Sequence, residues 1–447
     1  MSMKPGDSSN RRCFLKRLGA GVAVPLVVPN LLAAPPSGRV RHASFGAAGM
    51  AGADLMSFAA HPDVDIVCVS EVDLDRLEMI HKHLADRKIK VYQDWREMLD
   101  KEAKNLDTVN VGTPDHMHAP MAMSAMQLGL HAYVQKPLAH DIYEARRLTE
   151  VAREKKLVTQ MGIQIHSTAY YRIAVQVIQS GAIGKVKEVH AWSSKKWGDL
   201  EPLPKRSDPV PSTLNWDWWL GVCAPRPYLA DYYHPGNWRK RLDFGTGTFG
   251  DMGCHIFDPV FKALALTAPI SVRSEGPAPN QWNWSINSVI HYVYPGTQYT
   301  EGKTVAIHWY DGDERPPKDV QALLGKQPMP DQGSIFIGAS GVMVLPHVAL
   351  PVLLPESRFK DYKLPRDPGT SHNKQFIDAV LGRTKTSTPF DYSGPLTESV
   401  LLGGVATRFP RQTLEWDAAG LKFTNSPEAT QVLRRAYRKG WEVKGLS

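Results

Sequence analysis

Three side chains, widely separated in the chain, have the types needed to move a proton and a hydride. Lys136 lies in Val134-Gln135-Lys136-Pro137-Leu138, at the end of a short apolar run. Asp251 and His255 lie four apart in Gly250-Asp251-Met252-Gly253-Cys254-His255, a spacing that puts both on one helical face. Oxidising a secondary alcohol removes a proton from oxygen and a hydride from carbon, so a general base must reach the hydroxyl. In this reading His255 is the base, Lys136 polarises the alcohol oxygen and stabilises developing alkoxide, and Asp251 orients the substrate or tunes the imidazole. Exchanging the roles of Lys136 and His255 is the alternative. Taken alone, Asp251 also reads as an N-cap and His255 as a satisfied core histidine.

A hydride needs an acceptor, and the first third of the chain offers a nucleotide turn. Gly46-Ala47-Ala48-Gly49-Met50-Ala51-Gly52 follows an initial strand and opens a helix, where backbone N–H groups can approach a pyrophosphate. Read as G-x-G-x-x-G, the register is Gly46, Ala48, Ala51, with alanine at two of the three positions. Gly46, Ala48, Gly49 and Met50 are the expected contacts. Glu71 ends the second strand, where a carboxylate accepts the ribose hydroxyls and repels a 2′-phosphate, favouring NAD over NADP. Thr113-Pro114-Asp115-His116-Met117-His118 follows a later strand. Loops at the carboxyl ends of such strands face the ligand, so Thr113, Pro114, His116 and His118 are expected at the cofactor. Two histidines without a third ligand nearby do not make a metal site, and Asp115 reads as an N-cap. No metal is expected.

The elements that must position these residues alternate. Strands are expected at 41–45, 64–70, 90–92, 108–111, 130–135 and 157–161, with helices at 49–60, 73–86, 94–104, 119–128 and 142–155. Such βα alternation implies a doubly wound parallel sheet, a Rossmann domain over residues 39–161. From 162 to 447 the pattern becomes α+β with a mostly antiparallel open sheet, a substrate and oligomerisation domain. Its helices are expected at 169–180, 251–266, 373–381, 395–407 and near the C-terminus. Its strands are expected at 186–193, 270–274, 285–294, 304–309, 334–337 and 342–345. Residues 195–247 read as long loops carrying Trp197, Trp216, Trp218, Trp219 and Trp238. Loop packing is the simplest reading of Trp216, Trp218 and Trp219.

Thr-Pro-Asp-His-x-His-Ala-Pro, then Gln-Lys-Pro-Leu, then Gly-Asp-Met-Gly-Cys-His-Ile-x-Asp together resemble the glucose–fructose oxidoreductase / inositol dehydrogenase (Gfo/Idh/MocA) family. The resemblance extends to Pro395–Glu398 and Arg438–Trp441, and is strongest to exported members from bacteria that degrade complex carbohydrates. It implies that Lys136, Asp251 and His255 surround the reacting carbon beside a nicotinamide. It also implies a sugar, sugar acid or cyclitol substrate. Gln135 departs from the family's usual glutamate; its amide can hydrogen-bond cofactor or lysine but brings no charge. Family counterparts of Gln164 and His166 often touch substrate, although Ile163 replaces a commonly polar neighbour. Trp238 and Arg239 are expected to close over the nicotinamide or stack on a sugar, and His372 is a further substrate candidate.

The 447 residues suit two domains. The net charge of +8 is not a nucleic-acid footprint, because the first 20 residues carry five basic side chains against one acid and no later basic block exists. Asn10-Arg11-Arg12-Cys13-Phe14-Leu15-Lys16, followed by an uncharged stretch broken by Pro25 and Pro29, resembles a twin-arginine export signal over residues 1–34. It is too short and broken for a stable membrane span. Periplasmic or exported localisation follows, with the twin-arginine machinery as a partner and a tightly bound NAD carried out inside the folded protein. Cys68, Cys223 and Cys254 at irregular spacing form no disulfide framework. The open sheet of the second domain suggests a homo-oligomer. Two other readings use the same residues: a redox-neutral glycosidase working by oxidation, elimination and reduction, and a carbohydrate-binding protein without catalysis.

Overall fold

The protein is seen in a computed structural model, which describes residues 38–447; the twin-arginine segment lies outside them. Six strands form the first sheet: β1 (Val40–Phe45), β2 (Val64–Ser70), β3 (Lys90–Tyr92), β4 (Thr108–Val111), β5 (His131–Gln135) and β6 (Thr159–Gly162). All pairings are parallel, in the order β3-β2-β1-β4-β5-β6. Helices α1 (Gly49–Ala59), α2 (His118–Gln127) and α3 (Ile142–Glu154) are among its crossovers. The order reverses between β1 and β4, and that switch point opens a crevice at the strands' carboxyl ends. This is the expected Rossmann fold.

The helix expected over 73–86 is broken. Leu74–Arg76 is a 3₁₀ turn and only Glu78–His83 is α-helical. Tertiary contacts hold its start in another shape: Asp73 accepts the Asp75 N–H and meets His234 Nε2 at 2.9 Å, while the Leu74 N–H donates to the Thr213 carbonyl.

The second sheet has nine strands: β7 (Val186–Ser193), β8 (Ser271–Ser274), β9 (Val289–Pro295), β10 (Thr304–Asp311), β11 (Gly333–Gly338), β12 (Val342–Pro346), β13 (Val352–Leu354), β14 (Thr413–Asp417) and β15 (Lys422–Phe423). Their order is β13-β12-β11-β7-β10-β9-β8-β14-β15, antiparallel except where β7 meets β10. The sequence did not announce β13, β14 or β15, short strands whose pairing is set by neighbours rather than by their own pattern. The expected C-terminal helix reduces to Pro427–Gln431.

The longer helices after the first sheet are α4 (Ala169–Gln179), α5 (Gly247–Ala263), α6 (His372–Val380) and α7 (Phe390–Thr407), and a short one, Trp216–Leu220, interrupts the stretch expected to be loops. α7 packs on both α3 and α5, joining the two sheets, and α6 returns to pack on α1. There Phe376 meets Phe58 and Tyr133 edge-on, at 6.0 and 5.8 Å between ring centroids. Among the described residues, no helix is long and apolar enough to cross a membrane.

Several imidazoles are buried in the core. Burial pushes the pKa of His42 down to about 4, of His116 to about 3 and of His372 to about 4, from an ordinary 6.5. These groups are neutral in the fold, so below pH 6.5 the unfolded chain binds more protons than the native one. Their contribution is therefore full above pH 6.5 and is lost as pH falls toward 4. These histidines are expected to lower the urea midpoint at about pH 5 relative to about pH 7.5, while Glu144, whose carboxyl burial raises to about 8, works the other way as pH rises through that value.

Candidate active site

The turn from β1 into α1 shows why glycine and alanine occupy their places. Gly46 has φ +94°, and a Cβ there would lie 2.9 Å from the Ala51 methyl. A Cβ on Gly112 would approach the same methyl to 2.7 Å. Ala51 is 1% exposed, so its methyl fills the joint between helix and sheet and leaves the crevice open. α1 starts at Gly49 with no side-chain cap and no acidic residue in its first turn. Its leading N–H groups are therefore available to an anion. Glu71 accepts from the Ala47 N–H at 3.0 Å and the Asp73 N–H at 3.2 Å, bracing the turn, while burial raises its pKa.

A cleft of about 290 Å³ runs along this edge. Gly46, Ala48, Gly49, Met50, Glu71, Thr113, Pro114 and His118 line it, together with Gln135, Lys136, Trp238, Arg239, Asp251 and His255. Residues from both halves of the chain thus share one cavity. Lys136 Nζ donates to Asp251 Oδ1 at 2.6 Å and to the Asp251 carbonyl at 3.0 Å; Arg239 Nε donates to the same Oδ1 at 3.2 Å. Burial opposes charge on Asp251, yet Lys136 and Arg239 outweigh it and hold the carboxylate below its usual range. α5 begins at Gly247, so Asp251 sits in the second turn and is not an N-cap. One turn later His255 is partly buried, with its Nδ1 buried and unpartnered. Burial, reinforced by Lys136, pushes its pKa down to about 3, so the imidazole is neutral near pH 7.

Neighbouring loops fix these groups. His118 Nδ1 lies 2.7 Å from the Pro137 carbonyl and Nε2 lies 2.8 Å from the Thr113 carbonyl, tying the loop after β4 to the lysine's own turn. Asp115, expected as an N-cap, instead accepts from Thr246 Oγ1 at 2.7 Å, just before α5. The Gln135 amide donates to buried Asp54 at 2.6 Å, and Asp54 also accepts from Asn373 at 2.9 Å and Gln164 at 3.2 Å. The unusual glutamine is explained by this carboxylate, whose pKa burial raises.

Other expected residues lie elsewhere. His116 is fully buried, its Nε2 3.0 Å from the Trp219 carbonyl and its ring packed on Trp219 and Phe244. It points away from the cofactor cleft because the helix starting there turns it into the core. His372 is also buried, held by Ser167 Oγ at 2.7 Å and the Met161 carbonyl at 2.9 Å, and does not line the cleft. Gln164 is drawn to Asp54, and His166 Nδ1 meets Asp258 at 2.8 Å, one turn beyond His255. Neither is among the cleft-lining side chains. Conversely, Arg76, Met121, Trp218, Trp219 and His234 line it. Trp219 combines this with the expected packing, stacking on Trp216 at 4.8 Å. The tryptophan-rich loop was the trace of Trp218, Trp219 and His234 in the sequence, whereas Arg76, Met121 and Asp54 left none.

Residues 40–163 match the oxidoreductase family with an NAD-binding Rossmann fold, and residues 175–443 match that family's C-terminal alpha/beta domain. The chain belongs to the Gfo/Idh/MocA oxidoreductase family. A levoglucosan dehydrogenase of Pseudarthrobacter phenanthrenivorans is 24% identical over 37% of this chain and 34% of its own length. A glycosyl hydrolase family 109 protein of Shewanella sp. is 24% identical over 40% of this chain and 44% of its own. The chain thus aligns with less than half of either relative. The WlbA dehydrogenase of Bordetella pertussis, solved in complex with NADH and UDP-GlcNAcA, superposes with a TM-score of 0.59 at 14% identity. That match covers 85% of this chain and 99% of the other, and it shows the shared fold.

Replacing the neutral amide by a carboxylate, Gln135→Glu, would set two acids within hydrogen-bond distance of each other in a buried site. The variant is expected to lower the thermal midpoint near neutral pH and to recover part of the loss on mild acidification, when one carboxyl can take a proton. Differential scanning calorimetry across pH measures this; an unchanged midpoint would contradict the Asp54 account.

Proposed function

We propose that the protein is an exported oxidoreductase that transfers hydride between a tightly held NAD and a hydroxyl of a sugar, sugar acid or cyclitol. The observation that carries this reading is Lys136, Asp251 and His255 sharing one cleft with an uncapped helix N-terminus. The residues fit a dinucleotide: the N–H groups of Ala48, Gly49 and Met50 suit its pyrophosphate and Glu71 its adenosine ribose. When bound, the nicotinamide supplies the hydride acceptor.

The side chains divide the remaining work. His255, neutral and with a free lone pair, takes the hydroxyl proton. Lys136 holds the oxygen and stabilises the charge that develops there. Because Lys136 is already ion-paired with Asp251, an ammonium in that pair has no lone pair to offer, which favours this assignment over the exchanged one. Asp251 holds Lys136 and Arg239 in place. Export through the twin-arginine route, suggested by Arg11 and Arg12, would carry folded protein and nucleotide out together. A second copy covering the open sheet is part of the same proposal, since Val293, Val348 and Leu350 are exposed on the second domain.

The family 109 relative supports a second reading, a redox-neutral glycosidase. Oxidation of a ring hydroxyl to a ketone acidifies the C–H beside it, loss of that proton expels the aglycone, water adds across the resulting double bond, and return of the hydride to the ketone gives the free sugar and restores NAD. A chromogenic glycoside separates the two: aglycone release without an added electron acceptor selects the second. The non-catalytic reading rested on Ala48, Ala51 and Gln135, and it is weakened at two of them, since the Ala51 methyl packs between helix and sheet and Gln135 is matched to Asp54.

Denaturing the purified chain is expected to release stoichiometric NAD, measured by mass spectrometry; a dinucleotide-free protein would count against retention. Lys136→Met is expected to reduce kcat by about 10²–10³-fold while leaving dinucleotide affinity within a few-fold. Equal turnover in that variant would reject the mechanism. Glu71→Ser is expected to weaken NAD binding and narrow its advantage over NADP, with Arg76 then free to meet a 2′-phosphate; fluorescence titration of both nucleotides checks this.

A further inference from the structure

The second sheet carries a row of histidines that the cleft does not use. His308 on β10 pairs in register with His291 on β9 and with His190 on β7. Adjacent strands lie about 4.8 Å apart, and the rings keep that spacing. His190 and His308 stack with centroids 4.6 Å apart, and His291 and His308 lie 4.8 Å apart. Alternation settles which face they occupy: Val189, Ile290, Ile307 and Trp309 enter the core against the helices, so the histidines project from the opposite side. Glu188, two residues before His190, joins them there.

The donor atoms are arranged as a ligand set. His190 Nδ1 is held by Tyr310 Oη at 3.0 Å, leaving Nε2, which lies 3.2 Å from Glu188 Oε1. His308 Nδ1 is held by His291 Nδ1 at 2.6 Å, again leaving Nε2 for a ligand. Metal-bound histidines have this form, with the second ring nitrogen fixed by a neighbour that orients the first. One donor atom each from Glu188, His190 and His308 lies within 4.8 Å of the others. Two tetrahedral ligands of zinc sit about 3.4 Å apart, so the His190–Glu188 separation already matches and His308 needs only a small rotation. Trp192, Tyr310 and Ile335 form an apolar cluster beside the row, a surrounding that limits competition from water.

We propose that Glu188, His190 and His308 bind a divalent transition-metal ion of the zinc type, with His291 as the residue that orients His308. Two imidazoles and a carboxylate suit such an ion rather than calcium or magnesium, which prefer oxygen donors. The ion would clamp β7 to β10, the one parallel pair in the sheet, and leave its fourth position to water or to a group from a second molecule.

The test is titration of ZnCl₂ into the full chain, untagged and stripped with EDTA, followed by calorimetry. Saturable binding of one ion per chain is expected, with a rise in thermal midpoint that EDTA reverses. Co²⁺ is expected to give the visible absorption of a tetrahedral site. His308→Ala and Glu188→Gln are each expected to weaken binding at least tenfold, and His291→Phe by about 10–100-fold. Glu188→Gln is near-isosteric and its side chain is 38% exposed, so it keeps the fold if His308→Ala does not. Absence of saturable Zn²⁺ binding, or undiminished affinity in Glu188→Gln, would overturn the proposal.

Discussion

The ion pair between Lys136 and Asp251 is the constraint on which the site depends. It links the end of β5 in the parallel sheet to the second turn of α5 in the other domain. Both side chains are largely buried, 13% and 14% exposed, so each would be costly to leave alone. Arg239 adds a second cation to the same carboxylate oxygen, and the pair thereby sets where the domains meet. Once α5 is held there, His255 follows from helix geometry. The Asp115–Thr246 hydrogen bond and the His118 bridge repeat the linkage on either side.

Two of the departures from the family pattern, Ala51 and Gln135, have local physical explanations. Ala51 replaces a glycine at a point where its methyl meets Gly46 and Gly112, whose missing side chains make the space for it. The volume has moved across the joint between helix and sheet, and the cleft is unaffected. Gln135 replaces a glutamate next to Asp54, so the site keeps one buried carboxylate there rather than two. Asn373 and Gln164 complete the donors around Asp54, drawing α6 and the loop after β6 against the first domain.

Much of the fold was legible because its signals are local. β2, β4 and β7 fall at the expected residues, since β2 and β4 are rich in β-branched residues and β7 sets apolar residues among polar ones after the Gly181–Gly184 turn. The broken helix after β2 was not legible, because Thr213 and His234 fix its start from far along the chain. The edge strands β13 to β15 carry too few residues to show a period.

For the site, the sequence by itself determined the chemistry: a lysine at a strand end, an aspartate and a histidine one helical turn apart, and a glycine turn opening a helix. These follow from spacing within single elements, where the backbone repeat fixes direction. Only the tertiary structure decided which candidates reach the cleft. His116 and His118 are two residues apart, yet one packs into aromatic core and the other braces the lysine loop, because His116 lies in the 3₁₀ turn Asp115–Met117 and His118 opens the helix that follows. The row His190, His291 and His308 is decided still further from the sequence, by pairing of strands separated by long stretches of chain. Register is a property of the assembled sheet, and no spacing along the chain encodes it.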